Sequence, residues 1–561
     1  MSAEILRRKK RRAELRGRQP TSGAIAEVRR VLGDMPRRRD LLIEHLHRLQ
    51  DEYGCLSAAH LTALASELSL PTAEVYEVAT FYHHFDVLKD GDSAPPAVTV
   101  RVCDSVACAL AGADGLVGRL ETRLGTDFRV QRVPCVGRCD TAPIAIVGTN
   151  PVDHADCDAV SAAIDAGQTR DPGPAGYVDY ESYRANGGYR LLEECNAGRL
   201  DSEAIISKLE CSNLRGLGGA GFPAGKKWRI VRDQPAPRLA AINIDEGEPG
   251  TFKDRYFLER DPHRFIEGAL IAAHVIGIEE VYIYLRDEYA GCRMVLEREL
   301  AALNANPPCP LPPIELRRGA GAYICGEESA MIESIEGRRG MPRLRPPFVA
   351  QVGLFGRPTL EHNMETLHWV RDILEKGADW FASHGRHGRK GLRSFSVSGR
   401  IQNPGVHVAP AGITMRELID EYCGGMQPGH EFYGYFPGGA SGGILPASLG
   451  DVPLDFDTLQ PYGCFIGSAA IIVLSDKDSA KAAALNTMRF FEHESCGKCT
   501  PCRVGTGKAA ELMQRETWDQ PLLKELATVM IDASICGLGQ AAPNPLLCVL
   551  KYFPHEVNNG S

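Results

Sequence analysis

The stretch RGLGGAGFPAGKKW, residues 215–228, decides which kind of α/β fold this chain contains. Gly216, Gly218 and Gly221 satisfy the spacing G-x-G-x-x-G, which in a dinucleotide-binding fold follows a β-strand. Here the preceding residues, SEAIISKLECSNL, have the pattern of a helix, so a standard Rossmann fingerprint is excluded. The glycines still allow the backbone to approach a flat or phosphorylated ligand, and Lys227 adds a positive charge. A purely structural turn is the alternative interpretation.

A group of carboxylates follows the apolar strand LAAIN. The segment NIDEGEPGTFKDR, residues 243–255, places Asp245, Glu246 and Glu248 within four residues. Because ligands of α/β folds bind at the carboxyl ends of strands, these side chains are candidates to bind ribose hydroxyls or to orient flavin nitrogens. A solvated acidic turn is the alternative.

The segment ESCGKCTPCRVGTG, residues 494–507, carries three cysteines at regular spacing, Cys496, Cys499 and Cys502, and Cys536 follows in a distant SICGLGQ. Zinc sites usually divide their ligands into two close pairs. A division of three and one is typical of a [4Fe–4S] cluster held by cysteine thiolates. Spacing favours the cluster, with zinc and disulfide chemistry left open.

A second set of cysteines has the spacing C-x4-C and C-x3-C. Cys103 ends the alternating strand AVTVRV, Cys108 follows it, and Cys135 and Cys139 follow another strand. Two loops at one edge of a small sheet would bring these thiols together. Spacing alone fits a [2Fe–2S] cluster and zinc equally well. The ten remaining cysteines are interpreted as small buried apolar residues.

Composition limits the class of protein. The 561 residues are 44% hydrophobic and 24% charged, which is typical of a globular protein of several domains. The net charge of −9 argues against nucleic-acid binding, and no apolar run is long enough to cross a membrane. Eighteen cysteines without a secretory signal indicate a reducing compartment, so we expect a cytoplasmic protein.

Linkers and periodicity predict a multidomain α/β chain. The first linker is KDGDSAPP at residues 89–96, and the stronger one is QTRDPGPAG at residues 168–176. One helix is expected at about residues 108–125. The predicted units are a basic disordered tail (1–21), a helical bundle (22–90), a small α/β domain (96–167), a large ligand-binding α/β domain (176–385), a ubiquitin-like β-grasp domain (392–476) and a four-helix bundle (477–561).

Several long motifs together carry a family resemblance. RGLGGAGFPAGKKW, NIDEGEPGTFKD, GAGAYICGEE, EHNMETL, SCGKCTPC and SICGLGQ resemble the NADH-binding flavoprotein subunit of respiratory complex I, in the same order. Residues 22–165, with their C-x4-C and C-x3-C spacing, resemble the thioredoxin-like [2Fe–2S] subunit of that complex. The resemblance implies a thioredoxin-like [2Fe–2S] domain, a Rossmann-like FMN/NAD domain and a [4Fe–4S] bundle.

The resemblance also implies roles for individual residues. FMN would contact Gly216, Gly218, Lys227, Asn243, Asp245, Glu246, Glu288, Asn363 and Thr366. The NAD site would include Gly219, Ala220, Phe222, Lys227, Glu248 and Tyr284. Lys227, Glu246 and Glu248 would set the orientation and electrostatics of hydride transfer. The chain departs from the family pattern at His362, Leu217 and Asp287, where asparagine, arginine and glycine are common.

Fusion of the two subunits resembles the diaphorase subunits of NAD-linked enzymes. The stretches RDLLIEHLHRLQDEYG and VRVCDS look like the beta subunit of NAD-dependent molybdenum or tungsten formate dehydrogenases. This likeness implies a hetero-oligomer with a catalytic alpha subunit that carries a molybdenum- or tungsten-pterin and further iron–sulfur clusters. The diaphorase subunit of bidirectional NAD-reducing hydrogenases is the alternative. Interpretations of another class are a flavin-free iron–sulfur scaffold and a zinc-stapled interaction protein.

Overall fold

The computed structural model describes residues 17–557, so most of the predicted basic tail lies outside the described residues. The described chain divides into two compact units. The first unit comprises the described residues up to Pro95 together with Glu336–Arg339, and the second holds the rest. No helix within residues 17–557 is long and apolar enough to cross a bilayer.

The first unit is a small helical bundle, as the leucine spacing predicts. Its helix α2 buries Leu42, Leu46 and Leu49 on one face, with His45 beside them. Gly54 ends α2 in the left-handed conformation that glycine adopts without steric cost. The elements are α1 (Ser22–Leu32), α2 (Leu42–Tyr53), β1 (Leu56–Ser57), α3 (Ala58–Leu68), α4 (Thr72–Ala79) and β2 (Val87–Leu88).

The second unit begins with a four-stranded sheet of order β4-β3-β5-β6, in which β3 is parallel to β4 and antiparallel to β5. The single helix predicted at about residues 108–125 is wrong: two helices meet at Gly112, whose φ of 89° breaks the helical path. The elements are β3 (Thr99–Cys103), α5 (Val106–Leu110), α6 (Ala113–Leu124), β4 (Arg129–Val133), β5 (Ala145–Val147), β6 (Asn150–Val152) and α7 (Cys157–Asp165).

The large α/β region is built on a parallel sheet of order β10-β7-β8-β9. Its central strands are nearly continuous apolar runs because helices cover both faces of such sheets. The elements are α8 (Tyr180–Ala185), α9 (Arg190–Asn196), α10 (Ser202–Ser212), α11 (Ala224–Arg232), β7 (Arg238–Ile244), α12 (Lys253–Leu258), α13 (His263–Ile276), β8 (Ile278–Leu285), α14 (Ala290–Ala305), β9 (Ile314–Arg318), α15 (Glu328–Ile335), β10 (Thr359–Asn363), α16 (Met364–Lys376) and α17 (Ala378–Ala382).

A third sheet follows, with the order β12-β11-β15-β13-β14. It forms where a β-grasp domain is predicted, and its single α-helix begins with a capping box between Thr414 and Glu417. The name of the domain and all domain boundaries stay predictions. The elements are β11 (Leu392–Gly399), β12 (Gly405–Pro410), α18 (Met415–Glu421), β13 (Phe432–Phe436), β14 (Leu445–Pro446) and β15 (Ala470–Ser475).

The last part of the described chain is helical, as predicted, with one short additional helix after Cys536. The helices are α19 (Ala480–His493), α20 (Thr500–Met513), α21 (Gln520–Ala533), α22 (Gly537–Ala541) and α23 (Asn544–Tyr552). Short 3-10 turns complete the described chain at Arg39–Leu41, Cys139–Thr141, Tyr323–Gly326, Leu354–Gly356, Ala440–Gly442, Ala447–Leu449, Gln460–Tyr462 and Pro554–Glu556.

Candidate functional site

The candidate ligand site lies at the carboxyl edge of the large parallel sheet, where β10 and β7 are neighbours. The chain runs from β7 to β8 and β9 on one side and returns to β10 on the other, so the strand order reverses between β7 and β10. Asn363, Asn243 and Tyr284 are aligned across three strands at this edge. Open α/β sheets bind ligands at such switch points.

The glycine-rich loop enters this edge after helix α10, as the sequence predicts. Gly216 donates its backbone N–H to the carbonyl of Phe222 at 2.8 Å, which closes the loop on itself. The Leu217 N–H donates to Thr366 Oγ1 at 2.9 Å. A Cβ added to Gly218 would stand 2.8 Å from Cβ of Asn363. The loop therefore lies against the end of β10, and its second motif glycine needs the absence of a side chain.

Asn363 is a predicted FMN contact whose side-chain amide is already hydrogen-bonded within the protein. Its Nδ2 donates to Asp254 Oδ2 at 2.7 Å, and its Oδ1 accepts from Lys253 Nζ at 3.2 Å. Lys253 also contacts Glu365 at 3.1 Å, and the Lys253, Asp254 and Glu365 side chains are at most 2% exposed. Asn363 therefore supports the glycine-rich loop, and it is itself held by a buried charged network that the sequence analysis missed.

Lys227 is placed at the site by helix α11 and pairs with Glu361 on β10. Its Nζ donates to the Glu361 carbonyl at 2.8 Å and contacts the Glu361 carboxylate at 3.3 Å. Asn243 Nδ2 donates to the same carboxylate at 3.3 Å. Because the Lys227 side chain is 25% exposed, it remains open to an anionic ligand on its other side. Glu361 was not a predicted site residue.

Asp245 provides a buried acceptor without a partner. Its Oδ2 is inaccessible to solvent and makes no hydrogen bond within the described protein. Burial raises the pKa of this carboxyl well above its usual range. A buried polar atom without a partner costs about 1–3 kcal/mol, so it is a position where a ligand N–H group fits. The role of Asp245 in orienting a flavin nitrogen stays a prediction.

Glu246 is hydrogen-bonded to the first turn of helix α12. Its two oxygens accept from the backbone N–H of Asp254 at 2.8 Å and of Arg255 at 3.2 Å, and Tyr289 donates to it at 2.7 Å. Burial, and secondly the nearby Asp254 charge, raise the pKa of Glu246 to about 7. Its carboxylate therefore organises the segment between β7 and α12, residues 245–252, rather than facing a ligand. This segment is called the carboxylate loop below.

Glu248 is likewise held by protein groups. Ser441 donates to Oε1 from its backbone N–H at 2.7 Å and from Oγ at 2.8 Å, and the Tyr323 hydroxyl donates to Oε2. The Tyr323 backbone N–H donates to Glu494 at 2.9 Å, beside the cysteine loop of the C-terminal bundle. Tyr323, which the sequence analysis did not single out, therefore connects the carboxylate loop to that bundle.

The other predicted contacts vary in how they face the open edge. Gly219, Ala220 and Phe222 lie on the glycine loop, and Phe222 is 40% exposed. Tyr284 is buried and its hydroxyl bonds Ser334 at 2.9 Å, while Glu288 is exposed and pairs with Arg286 at 3.1 Å. Lys227 lies on helix α11, whereas Glu246 and Glu248 both lie on the segment between β7 and α12, and the three side chains share no hydrogen-bond partner among the described bonds.

His362 shows how the chain accommodates one departure from the family pattern. Its Nε2 accepts a hydrogen bond from Trp228 Nε1 at 2.9 Å, which links β10 to helix α11. Burial, with Lys227 as a second cause, holds the pKa of His362 well below its usual value, so the imidazole is neutral. Asp287 is a second departure, at a position where glycine is common, and its carboxylate forms ion pairs with Arg293 and Arg318.

The cysteines of the small sheet converge as predicted. Cys103, Cys108, Cys135 and Cys139 are at most 4% exposed, and Cys135 Sγ lies 3.3 Å from Cys139 Sγ. Hydrogen bonds with the Cys103 and Cys139 thiols hold the pKa of Cys135 well below its usual value. Four buried sulfur atoms in mutual contact fit a cluster with four thiolate ligands.

The cysteines of the C-terminal bundle also come together. Cys502 is in side-chain contact with Cys499, and Cys496 lies near both it and Cys536. Cys536 directly precedes the first turn of α22. Cys496 and Cys499 are half-buried, so this set lies closer to the surface than the other. The donor set fits a cubane reached from two segments.

Three family models match consecutive parts of the chain. Residues 28–168 match the thioredoxin-like [2Fe–2S] ferredoxin, residues 209–372 the Nuo51 FMN-binding domain, and residues 482–560 the NADH-ubiquinone oxidoreductase-F iron–sulfur binding region. Fold and site together define an iron–sulfur flavoprotein.

Individual relatives give the family. An NADH-quinone oxidoreductase subunit of Rhizobium meliloti (strain 1021) is 40% identical over 398 residues, which are 68% of this chain and 94% of the relative. The mitochondrial NADH dehydrogenase flavoprotein 1 of Dictyostelium discoideum is 40% identical over 374 residues, which are 63% of this chain and 78% of the relative. This chain belongs to the NADH dehydrogenase flavoprotein family that includes these two relatives.

A solved structure covers nearly the whole fused chain. A NAD+-reducing [NiFe]-hydrogenase in the H2-reduced state matches with a TM-score of 0.80 and 31% identity, over 93% of this chain and 92% of that chain. The cofactors of this chain are FMN, NAD(H), one [2Fe–2S] and one [4Fe–4S] cluster, as predicted. Zinc and the flavin-free scaffold are thereby disfavoured.

Proposed function

We propose that this chain is the NAD(H)–FMN diaphorase subunit of a formate:NAD+ oxidoreductase complex. The carrying observation is that the glycine loop, the end of β10 and the carboxylate loop meet at one sheet switch point, with a cysteine set joined to that site through Tyr323 and Glu494. In this proposal Cys496, Cys499, Cys502 and Cys536 hold the [4Fe–4S] cluster. Cys103, Cys108, Cys135 and Cys139 hold the [2Fe–2S] cluster.

The residues of the site position the cofactors rather than exchange protons with them. Bound FMN would supply the conversion between hydride exchange with NAD(H) and single-electron exchange with iron–sulfur clusters. Gly216 and Gly218 give the backbone close access, and Asp245 offers its unpartnered oxygen to a flavin N–H group. Lys227 balances the charge of a phosphate or flavin, while Glu246 and Glu248 fix the loop. Orientation of this kind accounts for several kcal/mol of barrier reduction in enzymes, roughly 7–11 at most.

Electron exchange with a partner is assigned to the C-terminal bundle. Val504, Val529 and Ile531 are exposed apolar side chains on α20 and α21, the helices adjoining the cysteine loop. In this proposal these side chains are the candidate contact points for a partner protein. We place a catalytic alpha subunit with a molybdenum- or tungsten-pterin and further clusters on this face, in a cytoplasmic hetero-oligomer. Formate as donor rests on the sequence likeness at residues 39–54 and 100–105.

A second candidate is the diaphorase subunit of an NAD-reducing hydrogenase. The observation in its favour is the structural match to such a hydrogenase over 93% of this chain. Both candidates give the chain the same chemistry and differ only in the partner.

Purification of the native complex and of the isolated chain tests the proposal. The isolated chain should oxidise NADH with ferricyanide and should show no activity with formate or hydrogen. Molybdenum or tungsten in the native complex, with formate-dependent NAD+ reduction, supports formate dehydrogenase. Nickel with hydrogen-dependent reduction would establish the hydrogenase, and an isolated chain that is folded and loaded with FMN yet inactive with NADH would refute both.

A further inference from the structure

The loop that carries Cys135 and Cys139 is fastened to the carboxylate loop of the flavin site by one buried arginine. Arg286 follows strand β8 and is 5% exposed. Its Nη2 donates to the Cys135 carbonyl at 2.8 Å, and its Nη1 donates to the Glu246 carbonyl. A single planar guanidinium therefore holds two loops that belong to two different cofactor sites.

Neighbouring groups complete the connection. Tyr289, on the same turn as Arg286, donates to Glu246 at 2.7 Å, and a Cβ on Gly137 would stand 2.2 Å from its hydroxyl. Gly137 has a φ of 70°, which favours glycine. Arg255 donates from Nε to the Gly137 carbonyl at 2.9 Å. The two loops touch without space for an additional side chain.

The same contact brings polar groups to the sulfur atoms. The backbone N–H of Gly137, whose carbonyl accepts from Arg255, donates to the Cys135 sulfur at 3.4 Å. The positively charged guanidinium of Arg286 is hydrogen-bonded to the backbone carbonyl of Cys135, the residue that carries one of these sulfurs. Hydrogen bonds and charge near the ligand sulfurs are what set the reduction potential of such clusters.

We propose that Arg286 is a positioning residue that couples the [2Fe–2S] site to the flavin site. Its charge raises the reduction potential of the [2Fe–2S] cluster, and its hydrogen bond to the Glu246 carbonyl fixes the loop that shapes the NAD site. The inference deepens the proposed function and rests on its assignment of Cys135 and Glu246.

Two substitutions in the full chain separate charge from geometry. Arg286→Gln removes the charge, whereas Arg286→Lys keeps it and loses the double hydrogen bond. Arg371→Gln is the matched control, because Arg371 is also buried and contacts Glu267 and Tyr183, which are not on a cysteine loop. Each variant is checked for FMN content, cluster content and thermal unfolding before titration.

The readouts are redox titration of each cluster by electron paramagnetic resonance and the KM for NADH with ferricyanide. We expect Arg286→Gln to lower the [2Fe–2S] potential by at least ~59 mV, a tenfold change in a one-electron equilibrium, with the [4Fe–4S] potential unchanged. In Arg286→Lys the [2Fe–2S] reduction potential should stay close to the wild-type value. Both substitutions should raise the KM for NADH at least threefold. Arg371→Gln should change neither quantity.

The coupling is refuted if Arg286→Gln leaves the potential or the KM at the wild-type value, or if Arg371→Gln shifts both equally. A wild-type chain that lacks the [2Fe–2S] signal or FMN would instead contradict the proposed function itself. If Arg286→Gln does not fold, Arg286→Lys decides: unchanged KM in that variant overturns the geometric role.

Discussion

At the scale of single residues, the site consists of side chains whose polar atoms are mostly satisfied before any ligand binds. Asn363, Glu246 and Glu248 each bond backbone or side-chain groups of the loops around them. Lys227 and Asp245 differ, because the first is partly exposed and the second has an oxygen without a partner. We therefore expect substitutions at Lys227 and Asp245 to affect binding, and substitutions at the other three to affect loop order first.

Lys227 provides a direct test with an adjacent control. Lys227→Met removes the charge that faces the site, and we expect kcat/KM for NADH to fall at least tenfold in the ferricyanide assay, about 1.4 kcal/mol. Lys226→Met, one residue earlier on α11, removes an exposed charge that lies 5.9 Å from the Phe222 ring centroid. That variant should stay within twofold of wild type. Equal losses in the two variants would show that only the overall charge of the helix matters.

Glu246 makes stability depend on pH. Its pKa rises from 4.5 to about 7 on folding, so between these values the folded chain retains a proton that the unfolded chain has lost. The contribution is fully present below about pH 4.5 and is lost as pH rises through 7, with a slope of about 1.4 kcal/mol per pH unit. The unfolding free energy of wild type should fall between pH 5 and 7. In Glu246→Gln this fall should be smaller by about 1.4 kcal/mol for each pH unit. An unchanged slope in denaturant titrations would contradict the assigned pKa.

At the scale of elements, the glycine loop and strand β10 form one packed unit. Helix α10, rather than a strand, precedes the glycine loop and ends near the sheet edge. The loop is then fixed there because Thr366, at the start of α16, accepts a hydrogen bond from the Leu217 N–H. Helix α11 then leaves the loop and is tied back to β10 by Trp228 and His362. The position of the loop is therefore set by contacts to β10 and α16.

Gly218→Ala tests this packing. The added methyl would meet Asn363 at 2.8 Å, closer than side-chain carbons approach in folded proteins, so the loop must move. We expect FMN affinity to fall at least tenfold, measured by fluorescence during flavin titration of the apoprotein. Gly118→Ala is the control, since a methyl there meets nothing within 4 Å on helix α6. Unchanged FMN affinity in Gly218→Ala would show that the loop is adaptable.

At the scale of the whole molecule, the two cysteine sets belong to different environments within the second unit. The set of the small sheet is almost fully buried against the carboxylate loop, whereas Cys496 and Cys499 are half-buried on a bundle with exposed apolar side chains. Each set has its own connection to the carboxylate loop, the first through Arg286 and the second through Tyr323 and Glu494. The two clusters should therefore be removable independently.

Cys536→Ser tests that independence. We expect loss of the [4Fe–4S] resonance and of electron transfer to the partner, with the [2Fe–2S] resonance and NADH–ferricyanide activity retained at half the wild-type value or more. Cys423→Ser serves as control, because this buried cysteine belongs to neither set. Loss of both resonances in Cys536→Ser alone would show that the clusters assemble cooperatively.

The cofactor classes came from the family resemblance of several long motifs, because cysteine spacing alone left zinc open. The sequence by itself determined both cysteine sets and most helices and strands. These depend on local properties: hydrophobic period, glycine placement and ligand spacing act over a few residues and leave a readable pattern. The break at Gly112 was missed because a single positive φ carries little weight within an otherwise helical pattern.

Only the tertiary structure decided which polar groups are free and which are occupied. The pairs Lys227–Glu361, Tyr323–Glu248 and Arg286–Cys135 join residues 134, 75 and 151 positions apart, and no local period records such contacts. The free energies of these contacts depend on burial, because a buried polar group without a hydrogen-bond partner is strongly destabilising. For that physical reason, the connection between the carboxylate loop and the two cysteine sets became visible only in the folded chain.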